Sequence, residues 1–437
     1  MKRLLCLDVL RGGFIVMVIV FHAWGHLLFI NATLIAREEI SLWVMVLFAP
    51  LILLGTWAPI FALISGAATG YVLSNLEEQR RAGLSSRGSV GAYVRGTYWN
   101  SLMLFLCSLF HMAVLHFAVK FNGEVRHSFL TGSIERGYFA KGDVDLLFFT
   151  DAVALVAMAG IVIATTLGLL WRGKGYDRTR RTYVTLSVMG VLWFAVTPVL
   201  HGLFDGAFFS AVTDRRLVPA ILLKLLVGPP HSTFPNAGFA LFGAVLGIAV
   251  ARHEDWRFVR NYGLGFGGLS LAAGLLILAV SGVPLGPERV GTALPVQLHM
   301  VNLGLMLLLA VYCIKKFEYQ DTLRRFDLAR HTTGIRRFGL MAMSIYICES
   351  LLCVLNMKWF LPLFEGGPLA WRYVGLFSFA GMQVLLWYGI LLLWERVNFK
   401  YSIEWWVVTI VGWLRGRRST RLEVQEVLYH PVRLADQ

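Results

Sequence analysis

Ten apolar runs of bilayer-spanning length recur along the 437 residues, near 10–30, 52–75, 96–119, 149–170, 182–200, 234–251, 261–282, 296–314, 338–356 and 372–394. In hydrocarbon every backbone N–H and C=O must find its partner within the chain, so such runs become helices. The expectation is an all-α polytopic membrane helix bundle with about ten transmembrane helices. With 57% hydrophobic and 15% charged residues the chain is far from the charge content of a soluble domain. The net charge of +14 does not point to nucleic acid, because most of the 40 Lys and Arg sit in alternate short segments between the runs. That asymmetry predicts both termini on the cytoplasmic side. The first run follows Asp8 and Arg11 and lacks a convincing cleavage site, so it is expected to remain as the first span. Five cysteines (Cys6, Cys107, Cys313, Cys348, Cys353) have no paired spacing, so neither a disulfide framework nor a metal site is expected.

The connecting segments divide by character. Residues 31–51, with Arg37, Glu38, Glu39 and Pro50, suggest an interfacial helix, and Asn31-Ala32-Thr33 matches a glycosylation sequon of the kind that arises by chance. The second span carries Ser65, Gly66, Ala67 and Ala68, small residues that let helices approach closely. The loop 120–148 is the longest polar excursion. A second outer segment, 201–233, is expected to bring His201, Asp205, His231, Ser232 and Thr233 to the outer mouths of the fifth and sixth spans. Pro229, Pro230 and Pro235 make the backbone irregular there, which at membrane depth is tolerated only when buried in protein or lining a cavity. The apolar piece 405–413 is too short to span. We therefore divide the chain into a bundle over 1–400 and, over 401–437, an interfacial helix with a cytoplasmic tail. Neither an internal repeat nor a low-complexity tract is evident.

The first span holds most of the chemistry. At about 100° per residue Asp8, Arg11, His22 and His26 fall on one stripe with Ile15 and Val18. Arg11 and His22 lie about 16 Å apart along the axis at 1.5 Å per residue. Polar groups at such depth should face the bundle interior or a water-filled cavity. His22 is suited to accept a proton from a hydroxyl or amine, and Arg11 to hold an anion such as a phosphate. As structural groups, His22 would bond a neighbouring helix and Asp8–Arg11 would anchor the helix at the interface. Glu349, midway along the ninth span, must be protonated or paired, and could orient His22 or bind an acceptor. His111, His116 and His299 are scattered along other spans.

The opening CLDVLRGGFIVMVIVFHA resembles the first helix of the transmembrane acyltransferase superfamily, which includes the acyltransferase family 3 enzymes, the heparan-glucosaminide acetyltransferases and the YeiB-like bacterial proteins. The shared pattern is LDxLRG with a His or Asn fourteen residues after the Asp, here Asp8 and His22. APIFALISGAATG, FPNAGFALFGAVLG, FGLMAMSIYICESLL and LWERVNFKYSIEWWVVTIVGW resemble later segments in the same order. Leu340, Glu349 and Lys400-Tyr401-Ser402 depart from the YeiB-like pattern. The resemblance implies a bacterial inner-membrane enzyme that moves an acyl group, acetyl above all, from cytoplasmic acyl-CoA to a hydroxyl or amine of a glycan-like acceptor on the outer side. It implies His22 as general base, supported by Arg11, Asp8 and Glu349. Arg11, Arg80, Arg81 and Arg95 would hold the CoA phosphates, and His26, His201, Asp205, His231 and Ser232 the acceptor. A transporter or flippase using the same Arg, His and Glu stays open, as do a structural subunit and a homo-oligomer.

Overall fold

The computed structural model describes residues 3–27, 56, 58–83, 90–121, 124–172, 175–281, 295–364, 366–416 and 424–430. Among them ten helices are long and apolar enough to cross a membrane, so the chain is an all-α integral membrane protein. The interfacial helix expected over 31–51 and the Asn31 sequon lie outside the described residues.

The spans are α1 (Leu5–Gly25), α2 (Pro59–Arg81), α3 (Val90–Phe110, continued by a π-helical turn, His111–Leu115), α5 (Ala152–Leu170) and α6 (Thr179–Thr213), then α8 (Thr233–Ala251), α9 (Trp256–Ser281), α10 (Val296–Phe317), α13 (Ala342–Phe360) and α14 (Leu369–Glu395). Shorter helices connect them: α4 (Phe129–Arg136), α7 (Leu217–Val227), α11 (Thr322–His331), α12 (Thr333–Leu340), α15 (Ile403–Leu414) and α16 (Val424–Tyr429). The loop after α3 folds as a short antiparallel hairpin, β1 (Val119–Phe121) with β2 (Glu124–Arg126), followed by α4.

Lipid is as apolar as a leucine side chain, so close packing rather than hydrophobic exclusion holds such helices together. The tightest seam is α2 against α8. A Cβ on Gly66 would fall 2.0 Å from the Ala240 carbonyl oxygen, on Gly243 2.1 Å from that of Leu63, and on Gly247 1.9 Å from that of Ala67. Backbone touches backbone there, as the small residues of the second span lead one to expect. α8 is the central helix, enclosed by α2, α5 and α6.

The fifth span corrects the sequence reading. α6 runs unbroken through Pro198 to Thr213, so residues 201–213 continue a helix instead of opening a loop. Pro removes one donor and crowds the preceding turn, yet in membrane helices neighbouring groups compensate and the helix persists. α7 and the Gly228–Ser232 turn then lead into α8.

α1 packs against α10, α12, α13 and α14. Its start is fixed beside the end of α10, where Cys6 N donates to Glu318 Oε1 at 3.0 Å. At Gly12 it crosses α12 in contact: a Cβ would lie 1.9 Å from the Ile335 carbonyl oxygen, while one on Gly13 would meet nothing within 4 Å. The tail is not free. Buried Arg336 donates to the carbonyls of Ala329 (3.1 Å), Leu428 (3.0 Å) and Val427, which docks the end of α16 on α12. Both described ends of the chain thus meet at one end of the bundle.

Candidate active site

α13 supplies the partner that α1 needs. His22 Nδ1 lies 2.6 Å from Glu349 Oε2, an imidazole N–H donating to a carboxylate oxygen. Glu349 is fully buried, and its Oε1 has no hydrogen-bond partner among the described residues. The bond to Nδ1 leaves Nε2 as the ring nitrogen free to take a proton. α13 is itself pinned at its start, where Glu404 of α15 accepts from the N–H groups of Met343 (2.7 Å) and Ser344 (3.0 Å). These are orphan donors of a helix N-terminus, and a carboxylate there is well placed.

His22 lines a cavity of about 80 Å³ together with Phe14, Met17, Val18 and Phe61 and with Ala152, His231 and Tyr346. Phe14 is three residues above Arg11. The lining residues of α1 thus run from Phe14 to His22, about 12 Å along the axis. Val18 faces it as expected; Ile15 is buried instead against Phe338 and Trp387.

A second carboxylate–imidazole pair adjoins the first. Asp151 Oδ2 lies 3.0 Å from His111 Nδ1, while Oδ1 accepts from Ser108 Oγ at 2.6 Å and from Ala154 N at 2.8 Å, capping α5. Between the pairs stands Tyr346. Its ring centre is 5.9 Å from that of His22 and 5.2 Å from that of His111, and its hydroxyl accepts from Ala152 N at 3.3 Å. His26 and His22 both meet the ring of Phe117, at 5.6 and 5.2 Å, and His116 stacks on it.

The structure therefore brings His22, Glu349 and His231 together, with His26 one turn beyond. Burial brings His231 down to about 4, so its imidazole is neutral at pH 7. Asp8 and Arg11 stay at the other end of α1, where Asp8 Oδ1 is 2.9 Å from Arg3 and 3.8 Å from Arg11. Ser232 does not face the cavity group. Its hydroxyl donates to the Phe234 carbonyl at 2.5 Å. His201 pairs with Asp205 at 2.9 Å and reaches the Phe234 carbonyl at 3.2 Å, so both hold the α6–α8 junction rather than lining the cavity.

The basic residues assigned to phosphates are mostly engaged. Arg80 and Arg81 bind Glu77 at 2.7 and 3.0 Å, and Arg81 also pairs with Asp177 and lies over the Tyr176 ring. Arg95 is exposed on α3. Among the described residues no group of three or more His, Cys, Asp or Glu converges as a metal site would require.

Sequence reasoning missed Tyr346, Asp151 and Glu404. Two of them carried a signal. Tyr346 is three residues before Glu349 on the same helix face, and Asp151 is an acid two residues into an apolar run. The role of Glu404 depends on a fold-back that no local pattern announces. No family model matches the chain, and no curated protein or solved structure is significantly similar to it.

Proposed function

We propose that the protein is an integral-membrane acyltransferase in which His22 is the general base. The donor is an acyl-CoA entering from the end of the bundle that carries Arg11, and the acceptor is a hydroxyl or amine of a glycan-like molecule reaching the opposite end. The observation that carries this reading is the 2.6 Å Glu349–His22 bond at the wall of a cavity that Phe14, Met17 and Val18 of the same helix as His22 also line. A carboxylate on Nδ1 fixes the ring's tautomer and orientation and stabilises the imidazolium formed when Nε2 takes a proton. Support also comes from the likeness of the CLDVLRGG…H segment to the superfamily named above.

In this mechanism the acceptor oxygen or nitrogen attacks the thioester carbon as its proton passes to His22 Nε2. The tetrahedral adduct then expels the thiolate, and His22 returns the proton to sulfur. A cavity of about 80 Å³ suits a small acyl group such as acetyl. Arg11, with Arg3 and the arginines of α2 and α3 at the same end, supplies positive potential for the CoA phosphates. Both termini are then cytoplasmic, in a bacterial inner membrane.

The test is purified protein in liposomes given acetyl-CoA labelled in the acetyl group, with amino sugars and membrane glycans as acceptors. The expected result is labelled acceptor and stoichiometric free thiol, lost in His22→Ala and cut by about 10²–10⁴ in Glu349→Gln. Wild-type rates in a folded His22→Ala protein would remove the reading. Substrate flux without thiol release would establish the transporter alternative instead.

A further inference from the structure

The Asp151–His111 pair has no part in the scheme above, although it is buried beside the same cavity. Asp151 and His111 are almost entirely inaccessible, and His111 Nε2 has no hydrogen-bond partner among the described residues. Such a group is expensive to bury for packing alone. The pair meets the cavity lining at Tyr346, whose ring centre is 5.2 Å from that of His111 and 5.9 Å from that of His22.

The Tyr346 hydroxyl is built to donate. Its oxygen already accepts from Ala152 N, the first N–H of α5, so the hydroxyl hydrogen is directed elsewhere than at that N–H. Accepting from an N–H at a helix N-terminus also makes an O–H a stronger donor. Both Ala152 and Tyr346 line the cavity. Asp151 caps the same helix through Ala154 N while holding His111, so one carboxylate fixes both the ring's flank and the N–H that the hydroxyl meets.

We infer that Tyr346 is a catalytic hydrogen-bond donor to the substrate's carbonyl oxygen, and that Asp151 and His111 are positioning residues that hold it there. This rests on the acyl-transfer reading. As the acceptor bonds to the thioester carbon, the C=O π pair moves onto oxygen and the Tyr346 O–H stabilises that oxyanion. The pair re-forms the double bond when the C–S bond breaks, and the tyrosine keeps its proton throughout. A preorganised donor in a water-poor site is worth most where charge develops.

The experiment compares kcat and KM for acetyl-CoA in wild type, Tyr346→Phe, Asp151→Asn and His111→Gln, with His22→Ala as the inactive control. Tyr346→Phe keeps the ring between the two imidazoles, so its fold is expected to be intact by thermal unfolding. The expected result is a fall in kcat of about 10²–10³ with KM little changed. Asp151→Asn and His111→Gln are expected to lower kcat less, and to have no further effect in the Tyr346→Phe background. That non-additivity is what a merely structural role would not give. Wild-type kcat in Tyr346→Phe, with His22→Ala inactive, would overturn the inference and leave the reading standing. Additive losses across the three positions would overturn the positioning role. No transfer by wild type would remove the reading and the inference together.

Discussion

At the residue scale the buried carboxylates govern what can be changed. Among the described residues Glu349 has one hydrogen-bond partner, and removing His22 strands its carboxyl group in the interior. Breaking such a pair from one side is usually worse than deleting both members. In a double-mutant cycle, His22→Ala/Glu349→Leu is therefore expected to unfold at higher temperature than His22→Ala alone, with a coupling of roughly 0.5–3 kcal/mol. A double variant less stable than the single would show that the carboxylate is content without the imidazole. Lys224 is another deep charge, fully buried on α7 and donating to the carbonyls of Leu147 (2.7 Å) and Phe149 (3.0 Å). Burial brings its amine from 10.5 down to about 8. Between those values the unfolded chain holds the proton more tightly than the fold does, so stability rises with pH across that window. The advantage of wild type over Lys224→Met is thus expected to grow as unfolding is measured from pH 8 toward pH 10.

At the element scale the glycines sort themselves by what they face. Gly12 and Gly13 are neighbours in LRGG, yet only Gly12 meets the backbone of α12. Gly12→Ala is expected to separate α1 from α12 and destabilise by about 1–3 kcal/mol, the cost of overpacking against a rigid partner. Gly13→Ala is expected to be neutral or to stabilise by up to about 1 kcal/mol, because an open helical site gains from a lower unfolded-state entropy. Equal effects in thermal unfolding would contradict the crossing. The element scale is also where the sequence speaks most clearly. Spanning helices were legible because hydrocarbon forces a long apolar run into a helix, and the close approach of α2 to a neighbour because small residues have little other use there, though not which helix it meets. The extent of α6 was not, since Pro198 and the polar His201 and Asp205 imitate a span's end while the helix continues. The link between His22 and Glu349 joins residues 327 positions apart, a distance at which only cost argues: a mid-span carboxylate must have a partner, but composition does not say which.

At the scale of the whole molecule the two ends of the bundle are chemically distinct. One end gathers Arg3, Arg11, Arg336 and Arg337 around the start of α1 and the docked tail. The other gathers His22, His26, His111, His116 and His231. The tail belongs to the first group because Arg336 spends its donors on the last carbonyls of α16, where a cation also suits the helix dipole. Truncation after Gly416 is expected to leave the buried Arg336 short of acceptors and to lower the thermal unfolding temperature by several degrees. An unchanged transition would mean that the docked tail contributes nothing to the bundle. The sequence showed this piece only as polar, since what Arg336 binds in it are its backbone oxygens, which carry no residue signature.

The crossing at Gly12 also has a mechanical meaning. The strand of chain that grips α1 there, Ile335 to Gly339, passes through the break at Met341 and becomes the helix that presents Glu349 to His22. One continuous piece of polypeptide thus holds α1 like a rod clamped in two brackets cast from the same metal. Loosening the lower bracket must tilt the upper one, so a methyl group added at Gly12 would be felt by the imidazole three turns away.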